Sequence, residues 1–136
     1  MAVERIETTL KCTVTFDANL PANSVKIVNM TLDPLVGAQT VLQVPDNEAW
    51  VIEDIYVTSS PDVDAIVDIY KNELDVVLKT DPISTLLVSN PSRPKYGKKV
   101  FEPGARLSMR AVNLAAIGTE AVTDTFYVKL VRFVKK

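Results

Sequence analysis

The chain has 136 residues, of which 47% are hydrophobic and 24% charged, with a net charge of −2 and no histidine. This length and composition are typical of one globular domain, so we predict a single domain over residues 1–136. Without histidine, Ser-His-Asp and Cys-His nucleophiles are excluded, as are the multi-histidine metal sites of cupin-type barrels. No glycine-rich phosphate-binding motif occurs either. We therefore predict no enzymatic activity, no metal and no cofactor.

The N-terminal segment has no apolar core or cleavage site of a secretory signal, and no apolar run is long enough to span a bilayer. We therefore expect neither export nor membrane insertion, and these features by themselves predict a cytoplasmic location.

Charge is unevenly distributed along the chain. Residues 1–68 carry 3 lysines and arginines against 11 acidic residues, whereas residues 69–136 carry 12 against 6. This asymmetry indicates either that acidic and basic strands pair within the fold or that oppositely charged faces meet between copies. We favour internal pairing.

The first strand is predicted from Val3 to about Asp17, because residues 9–16 alternate strictly between polar and apolar. We predict that this N-terminal strand, which belongs to residues 1–20, pairs either with a sheet edge of its own sandwich or with a neighbouring subunit. Cys12 lies in the apolar register of the strand, and we interpret it as a small buried hydrophobic residue. The only cysteine of the chain thus forms no intrachain disulfide.

Further strands are predicted over 24–32, 38–44 and 49–57. The third has apolar residues on both faces and is therefore expected to be a central strand. Simple alternation places Trp50 and Ile52 on one face and Ile55 on the other, with Glu53 and Asp54 interrupting the pattern.

The second half predicts a hairpin of 64–70 with 74–80, followed by a segment at 83–89 that fits either a strand or a short helix. Pro103-Gly104 is suited to a type II turn into a strand that ends near Asn113. A long aromatic-rich strand closes the chain. Short, regularly spaced strands predict an all-β fold, an antiparallel β-sandwich or barrel.

Candidate binding residues are few. Arg93, Lys95, Tyr96, Lys98 and Lys99 form a basic loop whose composition could grip phosphates and stack a base, but we favour a protein contact or a solvated loop over nucleic-acid binding.

Two other groups were considered for ligand binding. Trp50 is interpreted as a core residue rather than a sugar-stacking platform. Asp62, Asp64 and Asp68 are interpreted as a solvated acidic loop rather than a calcium site.

The succession "VPDNEAWVIEDIYV", "AIVDIYKNELDVV", "FEPGARLSMRAVN" and "TFYVKLVRF", over about residues 40–134, resembles single jelly-roll domains of virion structural proteins. These include capsid, decoration, vertex and spike subunits of phages and archaeal viruses. The resemblance implies about eight strands in two sheets, self-assembly and no catalytic residues.

Our leading hypothesis is a non-enzymatic virion structural protein that forms homo-oligomers and contacts other virion proteins. The alternative is a carbohydrate- or ligand-binding β-sandwich, in which Trp50 or Tyr96 would be exposed to stack on a glycan. A hydrolase would need two acidic residues that converge in a pocket.

Overall fold

The computed structural model describes residues 2–32, 37–56, 63–71, 84–87 and 99–136, with the backbone alone described at 56, 84–86 and 99. All regular structure in these ranges is β-strand, which confirms the predicted class. The strands are β1 (Val3–Phe16), β2 (Val25–Ile27), β3 (Asn29–Leu32), β4 (Leu42–Gln43), β5 (Glu48–Tyr56), β6 (Ala65–Lys71), β7 (Ser84–Leu87), β8 (Lys99–Phe101), β9 (Arg106–Asn113) and β10 (Val122–Lys135).

The strands form two antiparallel sheets, as predicted. Sheet 1 has the order β3-β1-β10-β5-β8, and sheet 2 has the order β2-β9-β6-β7, with β4 also paired to β9. The first and last strands, β1 and β10, pair along their whole length, from Val3 opposite Lys135 to Phe16 opposite Val122. The two ends of the described chain therefore lie side by side in sheet 1.

The inner faces of the two sheets share one hydrophobic core. In β1 the alternating residues Leu10, Cys12, Val14 and Phe16 are fully buried, as their spacing predicts. The Cys12 thiol is 3.9 Å from the Met109 sulfur of sheet 2, so the sheets touch directly here. Burial raises the pKa of the Cys12 thiol well above its ordinary value. The interpretation of Cys12 as a buried hydrophobic residue is confirmed.

A β-bulge in β5 changes the face on which one residue lies. Leu130 of β10 is opposite Ile52, but the preceding Lys129 is opposite Asp54, so Glu53 is an extra residue in β5. Because of this insertion, Ile55 is buried in the same core as Trp50 and Ile52. Our assignment of Ile55 to the opposite face was wrong, since strict alternation cannot count across a bulge.

The partner predicted for β6 was also wrong. Over Ile66 to Ile69, β6 has β9 on one side and β7 on the other, so the segment predicted at 74–80 is not its neighbour there. Residues 72–83 lie outside the described part of the chain. Of the two structures considered for 83–89, the strand is confirmed at β7.

Local hydrogen bonds hold the chain on both sides of β9, at the turn before the strand and at its last residue. Gly104 has a φ of +82°, and the Ala105 N–H donates to the Glu102 carbonyl at 3.0 Å, as expected for the predicted type II turn. Asn113, at the end of β9, is completely buried. Its amide accepts a hydrogen bond from the Ser24 N–H and donates to the carbonyls of Pro21 and Ala115, at 2.8 to 3.0 Å.

Candidate functional site

The basic loop predicted from the sequence lies almost entirely outside the described residues. This applies to Arg93, Lys95, Tyr96 and Lys98. Lys99 begins β8, where its backbone is opposite Ile52 at the edge of sheet 1. The convergence of these cations on a ligand or a partner therefore remains a prediction.

A cleft of about 550 Å³ opens at one end of the sandwich. We call it the end cleft; it is lined by Leu32, Gln39, Val41, Leu42, Gln43, Pro45, Glu48, Trp50 and Arg132. Glu48 and Trp50 are two residues apart on β5, and Arg132 of β10 is opposite Trp50. The ladder thus brings these three side chains to the same face of sheet 1.

Glu48 is the centre of the polar contacts in the end cleft. Its Oε1 accepts hydrogen bonds from Arg132 Nε at 2.7 Å and from Trp50 Nε1 at 3.1 Å. Burial of Glu48 alone would raise its pKa, but these two hydrogen bonds and the Arg132 charge outweigh burial and lower the pKa of Glu48 below its ordinary value. Glu48 is therefore an ionised and satisfied carboxylate at neutral pH.

The end cleft offers no sugar-stacking surface from Trp50. This residue is 2% exposed and belongs to the core cluster, which confirms its interpretation as a core residue. A platform for a sugar ring needs an accessible aromatic face, whereas Trp50 is buried and its indole N–H donates to Glu48. Tyr96, the other aromatic candidate, is outside the described residues.

Of the three acidic residues considered as metal ligands, Asp64 and Asp68 lie in the described part of the chain. No group of three potential ligands that could hold a metal occurs in the part of the chain that is described. Asp64 accepts a hydrogen bond from the following backbone N–H at 3.0 Å, and Asp68 accepts one from the Tyr70 hydroxyl at 3.4 Å. Asp62 lies outside the described residues, so the reading of all three as a solvated loop stays a prediction.

The outer face of sheet 1 carries a network of charges. Arg5 lies 3.1 Å from Glu7 and 3.5 Å from Glu53, and Lys129 lies 3.5 Å from Glu7 and 3.8 Å from Glu53. The hydrogen bond from Arg5 and the charge of Lys129 lower the pKa of Glu7. Cations and acids thus alternate on this face, and the excess of either sign is small.

Charges from the two halves of the sequence meet within the fold. Lys129, Arg132 and Lys136, from the basic half, pair with acidic residues of the first half; the partners of Arg132 and Lys136 are Glu48 and Glu4. Antiparallel pairing of β10 with β1 and β5 produces these contacts. They support internal pairing as one cause of the uneven charge along the sequence.

The outer face of sheet 2 presents an apolar row, which consists of Val25, Val112, Ile66 and Leu87. These residues are opposite one another across β2, β9, β6 and β7 in turn. Ala65 and Val67 face the core, so Ile66 between them faces outward. Val25 is 60% exposed and Leu87 is 36% exposed. The row is a candidate contact surface because apolar residues here cross four of the five described strands of sheet 2.

Sequence reasoning missed the pair of Glu48 and Arg132. The two residues are 84 positions apart, and Glu48 directly follows the turn residues Pro45, Asp46 and Asn47. The only signal was the charge of Arg132 at a position where the alternation of β10 continues from Phe126, Val128 and Leu130. A charge in a core-facing register calls for a partner, although the sequence does not identify it.

The described part of the chain is thus an all-β fold of two antiparallel sheets. The sequence matches no protein-family model. It is similar to the capsid protein VP4 of Sulfolobus polyhedral virus 1, with 28% identity over 60% of this chain and 50% of VP4. The chain thus matches about half the length of that curated relative. No helix in the described ranges is long and apolar enough to cross a membrane.

Proposed function

We propose that this chain is a virion structural protein, a capsid, decoration or spike subunit that assembles with copies of itself and with other virion proteins. The observation that carries the proposal is the similarity to a viral capsid protein. Its location would then be the virion, and its role would be mechanical rather than catalytic.

The strand pairing supports a jelly roll as the fold of this subunit. A jelly roll has eight strands in two sheets, and it can be described as a long hairpin rolled up so that the first strand meets the last. If the short strands β3 and β4 are set aside, β1 pairs with β10, β2 with β9, β5 with β8, and β6 with β7. The chain thus pairs from its ends inward, as a rolled hairpin requires.

The surfaces of the sandwich suit a protein that makes contacts on several sides. The outer face of sheet 1 carries charges of both signs, whereas the outer face of sheet 2 carries the apolar row. A subunit within a shell needs different neighbours on different sides, and two chemically distinct faces can bind them separately.

The alternative, a glycan-binding module, finds less support. Trp50 is buried, which removes one of the two aromatic platforms on which that alternative depended. A hydrolase with paired carboxylates finds no support in the end cleft, where Glu48 is the only acidic residue among the described residues of the lining and is held by Arg132.

Sedimentation velocity of the purified chain over a wide concentration range, with negative-stain electron microscopy of the same samples, tests the proposal. We expect species heavier than the monomer, which grow with concentration into regular oligomers or shells. A chain that sediments as a monomer at every concentration, at low and at high salt, would contradict self-assembly. Glycan-array binding by that monomer would favour the alternative.

A further inference from the structure

One stretch of the edge of sheet 1 has no strand beside it in the described residues. β3 pairs with β1 only from Leu10 to Thr13, whereas β1 begins at Val3. Over Val3 to Thr9, β1 has β10 on one side and no described strand on the other. We call this stretch the open edge; an edge of this kind is a template for pairing with another strand.

The direction of the backbone groups along the open edge follows from two hydrogen bonds. The Lys136 N–H donates to the Ala2 carbonyl at 3.0 Å, so Ala2 faces β10. In an antiparallel ladder successive residues face alternate sides, so Val3, Arg5, Glu7 and Thr9 direct both backbone groups toward the open edge.

The pairing of β1 with β3 indicates the same direction for the backbone groups of the odd-numbered residues. Met30 of β3 exchanges both of its backbone hydrogen bonds with Gln39, at 2.7 Å each, so Met30 does not bond to Cys12, the residue opposite it. The residues of β1 that bond to β3 are therefore Lys11 and Thr13. They belong to the same odd-numbered series as Arg5 and Glu7.

We propose that the open edge pairs with the open edge of a second copy, antiparallel and centred on Ile6, so that the two copies of sheet 1 become continuous. This inference rests on the proposed self-assembly and names the partner and the register. In that register Arg5 is opposite Glu7 of the partner subunit, and Val3 is opposite Thr9 of the partner subunit. These residues are the ones that face the edge, so the pairing forms about eight backbone hydrogen bonds.

The side-chain charges select this register over its neighbours. A centre at Arg5 would place two arginines directly opposite each other, and a centre at Glu7 would place two carboxylates opposite each other. A centre at Ile6 instead places each Arg5 opposite a carboxylate. The side chains of Arg5 and Glu7 are 49% and 51% exposed, so both remain accessible to a neighbour. Charged side chains on an edge strand discourage pairing with unrelated strands. In this self-pairing the same charges of Arg5 and Glu7 lie opposite charges of the other sign and therefore favour it.

Cysteine cross-linking tests the register directly. Centred pairing places Ile6 opposite Ile6 of the partner subunit as a non-hydrogen-bonded pair, with Cα atoms about 4.5 Å apart, a separation that a disulfide can bridge. We expect Ile6→Cys to form a disulfide-linked dimer on mild oxidation with diamide. Glu4→Cys and Thr8→Cys should each cross-link poorly alone but should cross-link with each other when mixed. Wild-type protein is the control, because its single Cys12 is buried.

Charge reversal tests the ion pairs. Arg5→Glu or Glu7→Arg places like charges opposite each other twice per dimer, so we expect the dissociation constant to rise about tenfold. The double variant R5E/E7R restores opposite charges and should restore affinity. Asp17→Lys is the matched control, because it removes an exposed ion pair with Lys26 at a distance from the open edge. Thermal unfolding checks that each variant folds.

The outcomes separate this proposal from the proposed function. If the wild type assembles but Ile6→Cys does not cross-link, or if R5E/E7R remains as weak as the single variants, the open edge is not the interface and self-assembly uses another surface. If the wild type stays monomeric at every concentration, both proposals fail. Cross-linking at Ile6, together with recovery of affinity in R5E/E7R, supports the register.

Discussion

Replacing Arg132 with methionine would remove the charged partner of Glu48 and keep much of the aliphatic volume of the side chain. Loss of one partner of a buried ion pair costs about 3–5 kcal/mol. The Glu48 side chain is 8% exposed and that of Arg132 is 18% exposed, and Trp50 still donates one hydrogen bond in the variant. We therefore expect the lower end of that range, a loss of about 3 kcal/mol in the free energy of unfolding near neutral pH, or roughly 10 °C in melting temperature.

The contribution of Glu48 to the pH dependence of stability should change sign when Arg132 is replaced by methionine. In the native protein the pKa of Glu48 is lowered by its partners, so its contribution to stability is present above the unfolded-state pKa and is lost as pH falls through the folded-state pKa. In Arg132→Met the opposing effect of burial dominates and raises the pKa of Glu48. A carboxyl with a raised pKa binds its proton more tightly in the folded state, so this contribution improves stability as pH falls toward about 5.

Urea titrations near neutral pH and at about pH 5, followed by circular dichroism, measure both effects. The double variant R132M/E48Q removes the buried charge altogether and should regain part of the stability lost in R132M. Lys135→Met, an exposed change on the same strand, should have little effect. Two results would refute the reasoning: a loss in R132M below about 1 kcal/mol in the free energy of unfolding, or a stability difference between R132M and R132M/E48Q that is the same at both pH values.

Three further predictions follow from buried or strained positions. Cys12 should resist iodoacetamide in the folded protein and react only in denaturant, because its thiol is buried and its pKa is raised; labelling under native conditions would contradict this. Gly104→Ala should lower the free energy of unfolding by about 1 kcal/mol, because φ is +82°, while no atom lies within 4 Å of the added Cβ to cause a clash. Gly118→Ala is the control: its Cβ also meets no atom, but its φ is not positive, so the same urea titration should show little change. Asn113→Ala should lower the free energy of unfolding by about 2–3 kcal/mol, because the Ser24 N–H and the Ala115 carbonyl lose their bonds to this buried amide, whereas the Pro21 carbonyl keeps a hydrogen bond from the Ser24 hydroxyl; a melting temperature equal to that of wild type would contradict the role of this amide.

The alternation of β1 allowed much of the fold to be predicted. Leu10, Cys12, Val14 and Phe16 were expected on one face, and they lie in the core because one side of sheet 1 packs against sheet 2. The type II turn at Gly104 was likewise predictable, since a proline and a glycine fix the backbone angles locally.

The pairings that were missed depend on contacts distant in sequence. The bulge at Glu53 inserts one residue, and the interruption of the alternation at Glu53 and Asp54 did not reveal the insertion, so Ile55 could not be placed by counting. The partner of β6 was chosen as the nearest strand in sequence, whereas the sheet places β7 there. The ion pair of Glu48 and Arg132 likewise required knowledge that β5 and β10 are neighbours.

The candidate site was less predictable than the fold. The basic loop around Lys95 and Tyr96 was identified by composition alone, and composition does not determine which side chains converge. The open edge and the apolar row are properties of sheet order, so they became visible only once β1, β6 and β9 had been placed.

The number of copies of this chain in a virus particle tests the proposed role most directly. If the chain is a virion protein as proposed, quantitative mass spectrometry of purified particles of the virus concerned would measure that number against the other proteins of the particle. We predict many copies per particle, retained after washing in high salt. Absence of the chain from purified particles, with abundant chain free in the infected cell, would contradict a structural role in the virion.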